Sequence, residues 1–270
     1  MKKVLGLLTC FNRKDITIAA IRALIDGNPE IVFKFIVVDD NSSDGTNKAL
    51  GEIPEVTIIH GNGKMYYSGG MHKAIDAALK MKEEFAYCLL FNDDVQFFPN
   101  VVEKMIEQSK DEIVVGATCD NNGRLSYGGV IKLSKIRPRF EIIDWNSPKS
   151  EKCDTFNANC VILPWHIFKK LDNIDPIYSH SLGDFDYGFQ ASNRGIQIKM
   201  YDAFVGVCCD NPITGSWRDV TLSKRERIAK KESAKGLPFF EWFHYLNKNY
   251  SLPTAIIYSI TPYIRIFLKK

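Results

Sequence analysis

The sequence predicts an α/β fold, a mostly parallel sheet with helices on both faces, and three observations predict it. Apolar runs of strand length alternate with segments of helical periodicity. Those runs do not alternate polar with apolar, as strands buried on both faces do not. Two of them end in polar, acid-rich loops, and in parallel sheets ligands gather at the carboxyl ends of the strands.

Lys3 to Thr9 reads as the first strand, and Ile16, Ala19, Ala20, Ala23 and Leu24 give the next segment one apolar helical face that closes near Gly27-Asn28-Pro29. A second strand, Phe33 to Val38, runs into Asp39-Asp40-Asn41-Ser42-Ser43-Asp44-Gly45-Thr46, a stretch too polar for core. Next come a strand at Val56 to Ile59, a glycine-rich loop from Gly61 to Gly70, and a helix from about Met71 to Lys82 with Ala74, Ile75, Ala78 and Leu79 inward. The strand Ala86 to Phe91 then delivers Asn92-Asp93-Asp94. Adjacent carboxylates repel unless a cation or proton neutralises them, and hard divalent ions that bind phosphates favour such ligands. A metal-diphosphate site is the first expectation here; the competing one is that the two acids cap the helix starting near Pro99.

Beyond Asp94 the sequence predicts a helix at Val101 to Ser109, strands at Ile113 to Thr118 and Tyr127 to Ile131, and an exposed loop from Arg137 to Lys152. Phe156 to Pro164 enters a helix at Trp165 to Leu171, and Gly183-Asp184-Phe185-Asp186-Tyr187 opens another that closes near Gly195. Aspartate at a helix start also serves as an N-cap, a role open to both Asp184 and Asp186.

The 270 residues suffice for one large domain or two small ones. Seven cysteines without a Cys-x-x-Cys spacing suggest neither a disulfide framework nor a zinc site, and a reducing cytosol is the expected setting. The apolar run of Val4 to Leu8 is too short for a signal peptide. Thr9-Cys10-Phe11-Asn12-Arg13 excludes a Gly-x-G-x-x-Gly dinucleotide turn after the first strand, and no phosphate-binding Gly-x-x-x-x-Gly-Lys-Ser/Thr loop occurs. Nothing points to nucleic acid as a partner.

Four segments in order, over roughly residues 3 to 210, resemble the large family 2 of inverting glycosyltransferases of GT-A fold, of the type that builds bacterial cell-envelope polysaccharides. Thr9-Cys10-Phe11-Asn12-Arg13 looks like that family's Thr-x-Tyr-Asn-Arg opening. Val38 to Thr46 is similar to its nucleotide-binding loop, Asn92-Asp93-Asp94 stands at its Asp-x-Asp motif, and Gly183 to Tyr187 looks like the segment carrying its catalytic base. The resemblance implies a nucleotide-diphosphate sugar donor, UDP or dTDP favoured, and a glycan or lipid-linked acceptor. It implies donor contacts from Thr9, Phe11, Asn12, Asn62, Gly63 and Asp93, with Asp39 or Asp40 on a pyrimidine ring. Magnesium or manganese would sit on Asp94 with help from Asp93, and Asp210 or a cysteine beside it would replace the family's later histidine. Asp184 is the expected base in preference to Asp186. Tyr66, Tyr67, Trp165 and Trp217 are candidates to stack on sugar rings, with core packing the alternative for most of them; His72 is a candidate for the donor phosphate or sugar or for a purely structural hydrogen bond, and Arg218 for a clamp over the diphosphate. A sugar-phosphate nucleotidyltransferase and a non-catalytic carbohydrate-binding protein are the competing functions.

The expected organisation is a catalytic unit at 1–210, with a donor half to about 118 and an acceptor half from about 119, followed by a basic, aromatic, helical extension at 211–270. Its basis is charge: from residue 211 onward 11 Lys and Arg stand against 4 Asp and Glu, whereas the first 210 residues carry 24 against 28. In this tail Leu252, Ile256, Ile257, Ile260, Ile264, Phe267 and Leu268 recur at helical spacing, flanked by Lys248, Arg265, Lys269 and Lys270. A span needs roughly 20 apolar residues, so the segment is expected to lie on an anionic membrane, at the inner face of the cell membrane, rather than cross it. Packing on the catalytic unit, or on a second copy in a homodimer, is the competing expectation.

Overall fold

The computed structural model describes residues 1–148 and 152–268. The end of the expected loop before Lys152 and the flanking Lys269 and Lys270 therefore lie outside the described residues. The first half runs β1 (Lys2–Cys10), α1 (Lys14–Gly27), β2 (Ile31–Asp39), α2 (Thr46–Leu50), β3 (Val56–His60), α3 (Tyr66–Leu79), β4 (Tyr87–Phe91), β5 (Gln96–Phe97) and α4 (Val101–Gln108). The second half runs β6 (Ile113–Cys119), β7 (Leu125–Tyr127), β8 (Gly129–Lys132), β9 (Phe140–Ile142), β10 (Thr155–Phe156), β11 (Cys160–Pro164), α5 (Trp165–Phe168), α6 (Gly183–Asn193) and β12 (Ile198–Val207). Three helices close the chain: α7 (Lys224–Glu232), α8 (Phe239–Asn249) and α9 (Leu252–Leu268).

The main sheet has the order β3-β2-β1-β4-β11-β6-β12-β5, with β7 on β6. β3, β2, β1 and β4 are parallel, β11 runs antiparallel between β4 and β6, and β6 pairs parallel with β12. A small antiparallel sheet, β10-β8-β9, lies apart from it. Side chains leave a strand on alternate faces, and here both faces are core. In β4, Cys88 and Leu90 enter one apolar cluster with α3, α5, α6 and α8, while Leu89 and Phe91 enter the other with α1, α2 and α4. Burial on both sides is why the hydropathy of these strands does not alternate.

Several boundaries differ from the sequence expectation. Helix α3 starts at Tyr66, five residues early, because Ser68, Gly69 and Gly70 are helical; a Cβ on Gly70 would stand 2.2 Å from Thr9 Oγ1, so the glycine lets α3 approach β1. Leu79 at the end of that helix is exposed, and so is Ile16 in α1, where Thr17 turns inward to bond Asp93. The single strand expected at Tyr127 to Ile131 breaks at Gly128 into β7 and β8 in different sheets, and the expected loop at Arg137 contains β9, paired with β8. α5 covers only Trp165–Phe168, and Trp165 is core, stacked on Phe168 at 5.1 Å, not a sugar platform.

The extension divides in two. Trp242, Tyr245 and Leu246 of α8, with Ala255 of α9, belong to the same apolar cluster as the sheet, so α8 is core. The outer face of α9 remains exposed.

Close packing positions α6. A Cβ on Gly188 would lie 2.3 Å from Thr155 Oγ1 and 2.9 Å from the Thr155 backbone Cα, which cannot yield as a side chain can. Gly188→Ala is expected to lower stability by about 1–3 kcal/mol, as overpacking does, read by denaturant unfolding against the wild type.

Candidate functional site

The carboxyl ends of β1, β2 and β4, the start of α3, the start of α6 and the segment after β12 enclose a cavity of about 1000 Å³. Its walls include Thr9, Phe11, Asp40, Gly63, Tyr66, Tyr67, Asp93, Asp94, Asp184, Trp217 and Arg218 from the residues singled out in sequence. Asn12, Asp39, Asn62, His72, Asp186 and Asp210 do not line it.

Each placement has a local cause. Thr9 Oγ1 donates to the Val38 carbonyl, tying β1 to β2 at the rim. Asp40 is buried, and its carboxylate accepts backbone N–H bonds from Asn62, Gly63, Met65 and Tyr66 at 2.8–3.2 Å. It holds the loop into α3, and its negative charge at that helix start is favourable. Asp39 is buried and accepts from the Ser42 N–H at 3.0 Å. Asn12 is spent on the same loop, its N–H on Ser42 Oγ and its Oδ1 on the Ser43 N–H. His72 Nδ1 donates to the Ile174 carbonyl at 2.5 Å, a structural bond between α3 and the chain before α6.

Asp93 and Asp94 are joined by a residue the sequence reading quoted but gave no role. Arg13 Nη1 lies 2.9 Å from Asp93 Oδ1 and 3.0 Å from Asp94 Oδ2, and Thr17 Oγ1 donates to Asp93 Oδ2. Burial pushes the Asp93 carboxyl above its ordinary value, with Asp94 adding to the rise and Arg13 opposing it. Asp94 keeps 42% of its side chain exposed to the cavity side. Cys208, not Asp210, meets it, with Sγ 3.7 Å from Asp94 Oδ1; burial and Asp94 push that thiol up to about 12, so it stays protonated. Asp210 is exposed and off the wall, although its neighbours Cys209 and Asn211 line the cavity, so the chain still follows the rim there and only the Asp210 side chain leaves it. Among the described residues no three His, Cys, Asp or Glu side chains gather as a metal cage. An exposed carboxylate beside room for a diphosphate nevertheless fits magnesium or manganese, which use one or two carboxylates and leave the rest of the shell to phosphate and water.

The two aspartates of α6 have different fates. Asp186 is fully buried and accepts from Lys248 Nζ at 2.7 Å and Asn249 Nδ2 at 2.8 Å, clamping α6 to α8. Asp184 faces the cavity and accepts N–H bonds from Phe185 and Ala158, and burial pushes its carboxyl up to about 6. Gly183 precedes it because a Cβ there would meet Ser68 Oγ at 2.5 Å. Leu182 and Tyr66, both on the wall, hold φ of +72° and +53°, left-handed conformations that bulky residues adopt at a cost found at functional sites. Between them stands His180, missed in sequence, its ring edge-on to Tyr66 and Tyr67; burial, with Lys235 and Arg13 nearby, lowers it to about 4, so it is neutral at pH 7. Arg218 lies over the Trp217 ring at 5.3 Å, and both line the cavity.

The family described as glycosyl transferase family 2 matches residues 7–161, from β1 through the aspartate pair to β11. No curated protein sequence matches the chain. Among solved structures, the mannosyltransferase PcManGT from Pyrobaculum calidifontis, in complex with GDP-Man and Mn2+, is 14% identical with a TM-score of 0.54, covering 96% of this chain and 74% of its own. Residues 1–349 of TarS from S. aureus are 17% identical at a TM-score of 0.54, covering 97% of this chain and 73% of that one. GalNAc-T7 with UDP, GalNAc and Mn2+ is 9% identical at a TM-score of 0.58, covering 97% and 57%. At these identities the likeness is one of fold.

The clamp on α6 yields a stability test. Asp186→Ala leaves Lys248 and Asn249 without their acceptor and is expected to cost about 3 kcal/mol, discounted from a fully buried pair because Lys248 is a third exposed. Thermal unfolding at pH 7 checks this, and Asp184→Asn in parallel is expected to leave the melting temperature at or above that of the wild type, because it removes a charge that burial disfavours.

Proposed function

Because this chain belongs to glycosyl transferase family 2 and is a glycosyltransferase, we propose that it moves a sugar from a nucleoside diphosphate donor to an acceptor hydroxyl with inversion, using Asp184 as the base. The observation that carries this is Asp184 itself: a carboxylate raised to about 6, facing the same cavity as Asp94 and the loop held by Asp40. A general base works best with a pKa near the operating pH. At pH 7 Asp184 is mostly ionised, yet basic enough to take the proton of an attacking hydroxyl. Asp186, fully buried and engaged by Lys248 and Asn249, does not line the cavity.

Thr9, Phe11 and the Asp39 to Thr46 loop would receive the nucleotide, and a UDP or dTDP sugar is the favoured donor; UDP accompanies GalNAc-T7 and a TarS structure, GDP-Man accompanies PcManGT. Asp94, backed by Asp93, would hold magnesium or manganese. A divalent ion there supplies Lewis-acid stabilisation of the charge that builds on the departing diphosphate. Arg13, already bridging the two carboxylates, keeps their charge partly balanced while the donor is absent. Arg218 and Lys235 also line the cavity and would meet the diphosphate oxygens with charge-assisted hydrogen bonds. Tyr66 and Tyr67 offer aromatic faces to a sugar ring, with neutral His180 between them. A glycan or a lipid-linked saccharide of the cell envelope is the acceptor class that fits this reading, with the cytoplasm as the place of reaction.

Incubation with a panel of nucleotide sugars and Mn2+ is expected to release nucleoside diphosphate. Asp184→Asn should bind donor normally and lose about 10²- to 10⁴-fold in kcat; a dead Asp186→Asn beside a fully active Asp184→Asn would reverse the assignment. A base must be ionised to act, so kcat/KM is expected to rise with pH through about 6 and level off above it. The same carboxyl, raised from 3.8 in the folded chain, makes folding less favourable as pH climbs through that window. Asp94→Ala should erase the gain in UDP affinity that Mn2+ confers, about tenfold or more by calorimetry; unchanged Mn2+-dependent affinity would remove Asp94 from the ion's shell.

A further inference from the structure

Helix α9 has two faces of opposite character. On one, Thr254, Ala255, Ser259, Pro262 and Ile266 are buried, and Tyr258, Thr261, Pro262 and Arg265 form part of the cavity wall. On the other, Ile256, Ile257, Ile260, Ile264 and Phe267 are exposed at 53%, 60%, 49%, 48% and 55%. Spacings of one, three and four residues put these five on a single stripe. The helix contains no Asp or Glu. Positive charge stands at the stripe's edge, where Lys224 Nζ of α7 lies 5.7 Å from the Phe267 ring centroid, and the next residue along α7, Arg225, is exposed as well.

We propose that this stripe docks on an anionic lipid surface, with the α9 axis in the membrane plane and Lys224 and Arg225 against the headgroups. An apolar helical face flanked by lysine and arginine matches such a surface in both respects. No helix among the described residues is long and apolar enough to span a bilayer, and α9 carries Pro262 and Arg265 within it. A second copy fits less well. A two-fold interface sets each patch against itself, bringing Lys224 of one copy toward the same lysine of the other; α9 carries no acid to answer it, and the neighbouring Glu226 is engaged in its own capping box with Ser223. Docking also gives the fold a consequence that rests on the function proposed above. Since the opposite face of α9 is cavity wall, a docked enzyme holds the cavity beside the lipid surface, which suits a saccharide carried on lipid.

The test uses the full chain and vesicles of phosphatidylcholine, with or without phosphatidylglycerol. Flotation is expected with the anionic vesicles only and should weaken as salt rises. Ile257→Glu with Ile260→Glu, both at exposed positions, should cut vesicle partitioning by on the order of tenfold or more, with the melting temperature and UDP-Mn2+ affinity of the wild type. Lys224→Glu with Arg225→Glu should remove the preference for anionic lipid. Equal flotation of wild type and the isoleucine variant, or none by the wild type, overturns the docking. A sedimenting dimer that the isoleucine variant dissolves, without vesicle binding, assigns the stripe to a second copy instead. Calorimetry on the same samples keeps the two readings apart: intact nucleotide binding without flotation defeats only the docking, and flotation without nucleotide binding upholds the docking while defeating the catalytic reading.

Discussion

The site depends first on one buried carboxylate. Asp40 gathers the backbone N–H groups of Asn62, Gly63, Met65 and Tyr66, and Gly61 clears its path, since a Cβ there would lie 2.4 Å from Asp40 Oδ1. Those donors include ones that a helix start leaves unpaired, and each buried donor left without an acceptor costs about 1–3 kcal/mol. Through Asp40 the end of β2 fixes where α3 begins. The start of α3 fixes Tyr66, Tyr67 and Ser68, and Ser68 leaves Gly183 no room for a side chain. The position of Asp184 is thus set by a chain of contacts that starts at Asp40.

A second constraint divides the carboxylates by environment rather than by type. Asp40 and Asp186 are buried against specific donors and act as anchors. Asp93 is buried between Thr17 and Arg13, and beside it Asp94 reaches solvent. Asp184 lies where burial raises it without a cation to pull it back, the environment that suits a carboxylate for proton transfer near neutrality. The strained Tyr66 and Leu182 sit at the starts of the two helices that flank this group, so the backbone cost falls where geometry is most constrained.

Much of this was legible in the sequence. β1, β2 and β4 announce themselves as apolar runs, and the acids at their ends follow directly. Strands β5, β9 and β10 are two or three residues long, too short for any periodicity to register. Function within each acidic pair was not legible from local pattern. Asp39 and Asp40 differ only in where residues 62 to 66 fold back, and Asp184 and Asp186 differ through Lys248, 62 residues further along the chain. Arg13 escaped a role because its partners lie 80 and 81 residues away. The apolar repeat of α9 was plain, but only packing reveals that Thr254, Ala255, Ser259 and Ile266 face inward while Ile256, Ile257, Ile260 and Ile264 face outward.

The most direct test of this division of labour is a carbon-13 NMR titration of the side-chain carboxylates in the intact protein, assigned by single Asp→Asn variants. Asp184 is expected to titrate at about 6. An Asp184 carboxylate that titrates in the ordinary range, with a different cavity aspartate near 6, would contradict the account.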